Sequence, residues 1–265
     1  MEGVWIFPVL GVLAGILAGL LGIGGGLVLV AALAWILPLH GIPKEAAMHA
    51  ALASSLASIV LTATSSAYSH HRRGSVLWPT VAWMVPGLLL GGWLGSGLAV
   101  YLDDDVLRWI VAGYCFIAGA QMAFGGNAHP EGRSVPAPRG PVMSLAGSAI
   151  GAVSAVVGIG GGSMTVPLLV ARGVQPVRAV GTSSACGVAI GLASAFGYAL
   201  HAPPGALPSH AIGYIYLPAA IGVAIASVLA APYGAKLAHR IGGKALKRVF
   251  AIFMVVMGVA IIASG

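Results

Sequence analysis

The chain has 265 residues, 58% hydrophobic and only 7% charged, with a mean hydropathy of +0.98. Soluble domains carry about 25% charged residues, so a water-facing globule is excluded and lipid must solvate most of this surface. A net charge of +7 would suggest nucleic acid in a soluble protein, but in a membrane protein the placement of the charges has to be read before their total.

In chain order, the first apolar run spans 4 to 21. It follows Met1-Glu2-Gly3, which has neither a basic n-region nor an Ala-x-Ala cleavage site, and is expected to be a retained helix. Gly22-Ile23-Gly24-Gly25-Gly26 interrupts the run, and a short apolar segment follows at 27 to 39. Segments at 46 to 69, 77 to 101 and 106 to 124 complete the first half. Residues 125 to 141, with Gly, Pro and charges and no apolar period, form an exposed linker. The second half gives 142 to 157, the turn Gly158-Ile159-Gly160-Gly161-Gly162, then 163 to 172, 178 to 200, 211 to 233 and 246 to 263. These runs are apolar at nearly every position, whereas barrel strands alternate. Backbone polarity in lipid then requires helices. Cys115 and Cys186 lie inside such runs, where a thiol behaves as a small hydrophobe.

The halves are related. Sliding residues 11 to 26 forward by 136 positions onto 147 to 162 matches Gly11, Gly15 and Gly22 to Gly26 with Gly147, Gly151 and Gly158 to Gly162. Further matches with small shifts pair Pro86 with Pro218 and Gly95-x-x-Leu98-Ala99 with Gly234-x-x-Leu237-Ala238. Five segments per half require the halves to be inverted. Assigning each charge to a loop puts 11 of the 13 basic residues on the side opposite the N-terminus, leaving only Lys44 and Arg108, while Glu2, Glu45, Asp103, Asp104 and Asp105 fall on the N-terminal side. By the positive-inside bias the basic side is the cytoplasm and both termini are extracytoplasmic. The excess charge is a topology signal and needs no nucleic acid. The expected fold is an all-α polytopic membrane protein with two inverted-topology repeats of about five segments each, 1–124 and 142–265. A cytoplasmic linker at 125–141 joins them, and each half carries a broken or re-entrant Gly-rich helix.

The chemistry is expected at those breaks. Consecutive glycines leave backbone N–H groups unshielded and permit φ > 0. A short helix beginning just after them directs its positive dipole end at the turn, which makes an anion site. Paired interrupted segments in corresponding places of two halves point to a transporter's substrate site. The candidate substrate-binding residues are Gly24, Gly25 and Gly26, Gly160, Gly161, Gly162 and Ser163, the hydroxyl residues Thr182, Ser183, Ser184, Ser54 and Ser55, and His49 near the outer end of its helix. Each has a plainer alternative: glycines allow close helix packing, and intramembrane hydroxyls bond their own helix carbonyls. His70-His71-Arg72-Arg73 is expected to be a cytoplasmic anchor.

The two Gly-Ile-Gly-Gly-Gly turns, Pro167 after the second, and Ala179-Val180-Gly181-Thr182-Ser183-Ser184 resemble the TauE/SafE family of sulfite and organosulfonate exporters over nearly the whole chain. The resemblance implies a multi-helix permease for sulfur-containing oxyanions. The first half departs from the pattern, with Ala31 in place of a proline and Ala53-Ser54-Ser55 in place of Thr182-Ser183-Ser184.

No Asp, Glu, Lys or Arg lies in the middle of any segment, so no intramembrane carboxylate is available for a proton relay. No zinc-type cluster and no nucleophile with a base is apparent, so neither enzyme activity nor a metal or other cofactor is expected. The leading reading is a secondary carrier of a small anion in the cell membrane, its partners being that anion and the bilayer, with homo-oligomerisation left open. An anion channel could use the same helix ends, and a non-transporting scaffold is the third reading.

Overall fold

The computed structural model describes residues 5–22, 25–124, 136–207, 210–241 and 243–263. Among these, ten α-helices follow one another: α1 Ile6–Leu21, α2 Gly26–Ile36, α3 Ala47–His71, α4 Trp78–Val100, α5 Asp104–Phe124, α6 Pro141–Val157, α7 Gly162–Ala171, α8 Pro176–His201, α9 Leu217–Ala238 and α10 Gly243–Ile262. One antiparallel hairpin, β1 Ala211–Ile212 with β2 Ile215–Tyr216, precedes α9. The spans Lys44–His71, Trp78–Val100, Pro176–His201 and Leu217–Ala238 are each long and apolar enough to cross a membrane. The shortest of them, 22 residues, extends about 33 Å at 1.5 Å per residue. Residues 125–135 of the linker lie outside the described residues.

Only the ninth segment is displaced from its sequence position, starting at Leu217 rather than 211. His210 and Gly213 take left-handed backbone (φ 71° and 57°), which turns the chain into the hairpin. Pro218 then occupies the first turn of α9, where its missing N–H costs nothing. At the other end α9 runs on to Ala238 and takes in Lys236, whose aliphatic stem can lie along the helix while the ammonium reaches water.

α1 packs chiefly on α9, α4 on α6, α3 on α8 and α5 on α10, and α3 also meets α9 as α4 meets α8. Lipid tails are as apolar as leucine, so close packing rather than hydrophobic burial must hold such helices together. Glycines supply it. Gly11, Gly15 and Gly19 of α1 abut the backbone of α9 at Val223, Ser227 and Ala231, and Gly87, Gly91 and Gly95 of α4 abut α6 at Ser144, Ser148 and Ala152. Spacing of four residues keeps each trio on one helix face.

Large apolar side chains such as Leu61, Leu94, Ile117, Phe196, Ile225 and Leu229 point outward, while Ser54, Ser55, Ser58, Thr62, Ser66, Thr182, Ser183, Ser184 and Ser194 are buried. Buried hydroxyls thus line α3 and α8, the pair at the centre of the bundle, and the outer surface is apolar as lipid demands.

Candidate functional site

Among the described residues, the interruption between α1 and α2 and the one between α6 and α7 begin and end alike. Gly22 caps α1 with φ 70°, its N–H donating to the Ala18 carbonyl at 2.9 Å. Gly158 caps α6 with φ 76°, its N–H donating to the Ser154 carbonyl at 2.9 Å. Gly25 (φ 73°) and Gly161 (φ 75°) then stand immediately before α2 and α7. Four left-handed positions, two per turn, strongly favour glycine because an L side chain is strained there.

The turns also touch one another. A Cβ on Gly26 would fall on the Gly158 carbonyl oxygen and 3.0 Å from Ile159 Cα, so backbone meets backbone. The Ser55 hydroxyl of α3 lies 3.1 Å from the carbonyl oxygens of both Gly26 and Gly158. From α8, the Ser183 hydroxyl donates to the Gly22 carbonyl at 3.1 Å. Each central helix therefore ties down the turn of the other half.

The remaining hydroxyls do different work. Ser54 Oγ accepts the Tyr216 N–H at 2.9 Å, just ahead of α9. Thr182 Oγ1 accepts the Leu77 N–H at 3.0 Å, just ahead of α4, and donates to the Arg178 carbonyl at 2.7 Å. These are matching tasks. Ser54 does at the start of α9 what Thr182 does at the start of α4, and Ser55 and Ser183 each hold a turn carbonyl of the other half. Ser184 donates to the Val180 carbonyl at 3.1 Å and sits 2.9 Å from the Ser66 hydroxyl. Ser163, at the start of α7, meets the Tyr114 hydroxyl of α5. Gly24 lies outside the described residues.

His49 is not part of this cluster. It lies six residues before Ser55 on α3, about 9 Å along the axis. Its Nδ1 is 3.0 Å from Asp104 Oδ1, its Nε2 is 3.2 Å from the Ala99 carbonyl, and its ring stacks on Tyr214 at 4.8 Å. The same Asp104 carboxylate accepts the Met48 N–H at 3.0 and 2.9 Å and the His49 N–H at 3.2 Å. α3 has no capping side chain of its own; Asp104 caps it from α5, where the free N–H groups and the positive dipole end favour a carboxylate. Sequence reading placed Asp104 in an outer loop. Nothing in Asp103-Asp104-Asp105 marks the middle residue for burial.

His70 departs from the expected anchor. It is fully buried, its Nε2 is 3.0 Å from the Gly19 carbonyl and its ring stacks on His239, because the helix turn that exposes His71 and Arg72 directs His70 inward. His71 Nδ1 accepts the Trp78 indole N–H at 3.1 Å. Tyr198, also fully buried, donates to the Ala155 carbonyl at 3.2 Å.

Comparison with known proteins agrees with this architecture. The family described as sulfite exporter TauE/SafE matches residues 7–261. The chain belongs to the TauE/SafE family. A relative from Haemophilus influenzae named "Probable membrane transporter protein" is 34% identical over 250 residues, 94% of each chain. One from Methanocaldococcus jannaschii bearing the same description is 25% identical over 251 residues, 94% of this chain and 92% of that one. No solved structure matches. TauE/SafE membership, with several apolar helices of spanning length, makes this a multi-pass membrane protein.

Proposed function

We propose that this TauE/SafE protein is a secondary carrier exporting small sulfur-containing oxyanions, such as sulfite or organosulfonates, from a site at the bilayer centre where the two glycine turns meet. The observation that carries the reading is the Ser55 hydroxyl within reach of Gly26 and Gly158 together. It holds the N-terminal end of a short helix from one half against the turn of the other, and such ends attract anions. The family's description as a sulfite exporter supports the substrate class. The relatives' names support transport over a scaffold role.

The carrier is built as inverted repeats at 1–124 and 142–265. Exchange of equivalent helices turns the α1 on α9 contact into α6 on α4, and α3 on α9 into α8 on α4. The hydroxyl ties exchange in the same way, Ser54 to Tyr216 with Thr182 to Leu77. Inversion puts both termini outside the cell and the linker in the cytoplasm. Cysteine labelling of intact cells checks this, with the buried Cys115 and Cys186 as a quiet background. An impermeant maleimide should modify Gly265→Cys and spare Ser134→Cys, and the reverse pattern turns the topology upside down.

Export needs no proton. An inside-negative potential favours outward movement of one negative charge by about 2.3 kcal/mol per 100 mV, enough for a roughly 50-fold gradient. His49, the nearest candidate for proton coupling, has both ring nitrogens against the acceptors Asp104 and Ala99. In proteoliposomes clamped with valinomycin and potassium, sulfite efflux should accelerate with interior-negative voltage and persist with a protonophore. Flux that follows the pH gradient, ignores voltage and vanishes in His49→Ala would replace this mechanism with proton coupling.

A further inference from the structure

Membrane-buried hydroxyls in this chain repeatedly fold back on carbonyls of their own helix. Ser58, Thr62, Ser96, Thr182, Ser184 and Ser227 all do so. Among the described residues, the buried hydroxyls that meet no partner are those of Ser154 and Thr165. Both residues are fully buried, and both flank the second glycine turn.

Their positions are informative. Ser154 Oγ lies 3.3 Å from where a Cβ on Gly161 would stand, so it faces the residue that opens α7. Thr165 is four residues beyond Gly161, on the same helix face, and its N–H donates to the Gly161 carbonyl at 2.8 Å. At the same end of α7, a helix of 10 residues, the N–H groups of Gly160, Gly161, Gly162 and Ser163 meet no acceptor among the described residues. Two hydroxyls and four amides around the second turn thus have no hydrogen-bond partner among the described residues.

The first turn lacks the two hydroxyls. Ala18 holds the place of Ser154, since its carbonyl takes the Gly22 N–H as the Ser154 carbonyl takes that of Gly158. Leu29 holds the place of Thr165, its N–H donating to Gly25 as that of Thr165 does to Gly161. These backbone bonds recur and the hydroxyls do not.

We infer that the anion site is one-sided, with a single anion held by the second half through Ser154, Thr165 and the amides of Gly160 to Ser163, while the first turn is a dry structural copy. The inference rests on the carrier reading above. A buried unpaired hydroxyl is costly to keep, and a solute able to accept from it removes that cost on binding. The set is neutral and rich in donors, two hydroxyls and four amides, so it suits the three-oxygen head of sulfite or a sulfonate, which accepts at every oxygen.

The test is anion-dependent thermal stabilisation of the purified full chain, titrated with sulfite and with methanesulfonate and run beside sulfite flux in proteoliposomes. In Ser154→Ala and Thr165→Val the ligand-free melting temperature should stay unchanged or rise, because each loses an unpaired hydroxyl. Affinity for both anions should fall by about tenfold or more, the scale of a lost hydrogen bond to a charged group. Ala18→Ser, which creates the missing hydroxyl in the first turn, should leave affinity and the one-to-one stoichiometry unchanged. Wild-type affinity in both Ser154→Ala and Thr165→Val overturns the inference, as does a second anion bound in wild type. Ser154→Ala melting earlier with undiminished affinity also overturns it, since that is the behaviour of a purely structural hydroxyl. Wild type that neither binds nor moves either anion removes the carrier reading and this inference together, whereas transport with unaffected variants removes only the latter.

Discussion

Asp104→Ala is expected to destabilise the folded protein by about 3–5 kcal/mol, the range found when one partner of a buried ion pair is removed. The carboxylate is 8% exposed and accepts two backbone N–H groups at the start of α3 and the His49 ring, with Arg108 Nη2 3.9 Å away. Removing it strands those buried donors and leaves the positive end of α3 uncompensated. Asp105 provides the comparison. Its side chain is 84% exposed and pairs with Arg108 at 2.6 Å, and Asp105→Ala should change stability by less than about 0.5 kcal/mol. Thermal unfolding of both variants in detergent checks this, and equal melting temperatures would mean that Asp104 is no cap. If the gap between them is large, flux measured at a temperature where Asp104→Ala remains folded separates the cap's structural role from any part of the His49 and Asp104 pair in transport.

Gly91→Val should be the more severe change, preventing accumulation of folded protein in the membrane. A Cβ at Gly91 would run into the carbonyl and backbone of Ser148 on α6, and a backbone obstacle cannot rotate away. α4 and α6 would have to separate along the whole face carrying Gly87, Gly91 and Gly95, which forfeits the close contact that holds membrane helices together. Overpacking alone costs about 1–3 kcal/mol, and the lost interface adds to it. Gly113→Ala is the counterpart. Gly113 also sits mid-helix, in α5, but nothing lies within 4 Å of its Cβ position, and alanine should stabilise by up to roughly 1 kcal/mol through helix propensity alone. Fluorescence-detected size exclusion of both variants decides the matter. A monodisperse Gly91→Val peak at wild-type yield would show that the two helices are not held by their close approach.

These two glycines illustrate the limit of reading the chain alone. Both stand in apolar runs and no local pattern distinguishes them, because the difference lies in which neighbour reaches them. The same holds for the hydroxyls. A serine in an apolar run signals a polar contact but not its partner, so Ser54, Ser55, Thr182 and Ser183 were legible as a group while their division into helix-start ties and turn ties was not. Ser154 and Thr165 carried no signal at all, since the property that sets them apart is a bond each fails to make.

The sequence by itself determined the membrane environment, the number and order of helical segments and the family. Those follow from composition, run length and local backbone permissiveness, which act within a few residues along the chain. Only the tertiary structure decided that Gly26 lies against Gly158, that Ser55 reaches both turns, that Asp104 caps a helix more than 50 residues away, and that His70 is buried where its neighbours are not. Each of these depends on which surfaces are brought within hydrogen-bonding or van der Waals distance. Such distances are set by the packing of whole helices, and short-range pattern carries no record of them.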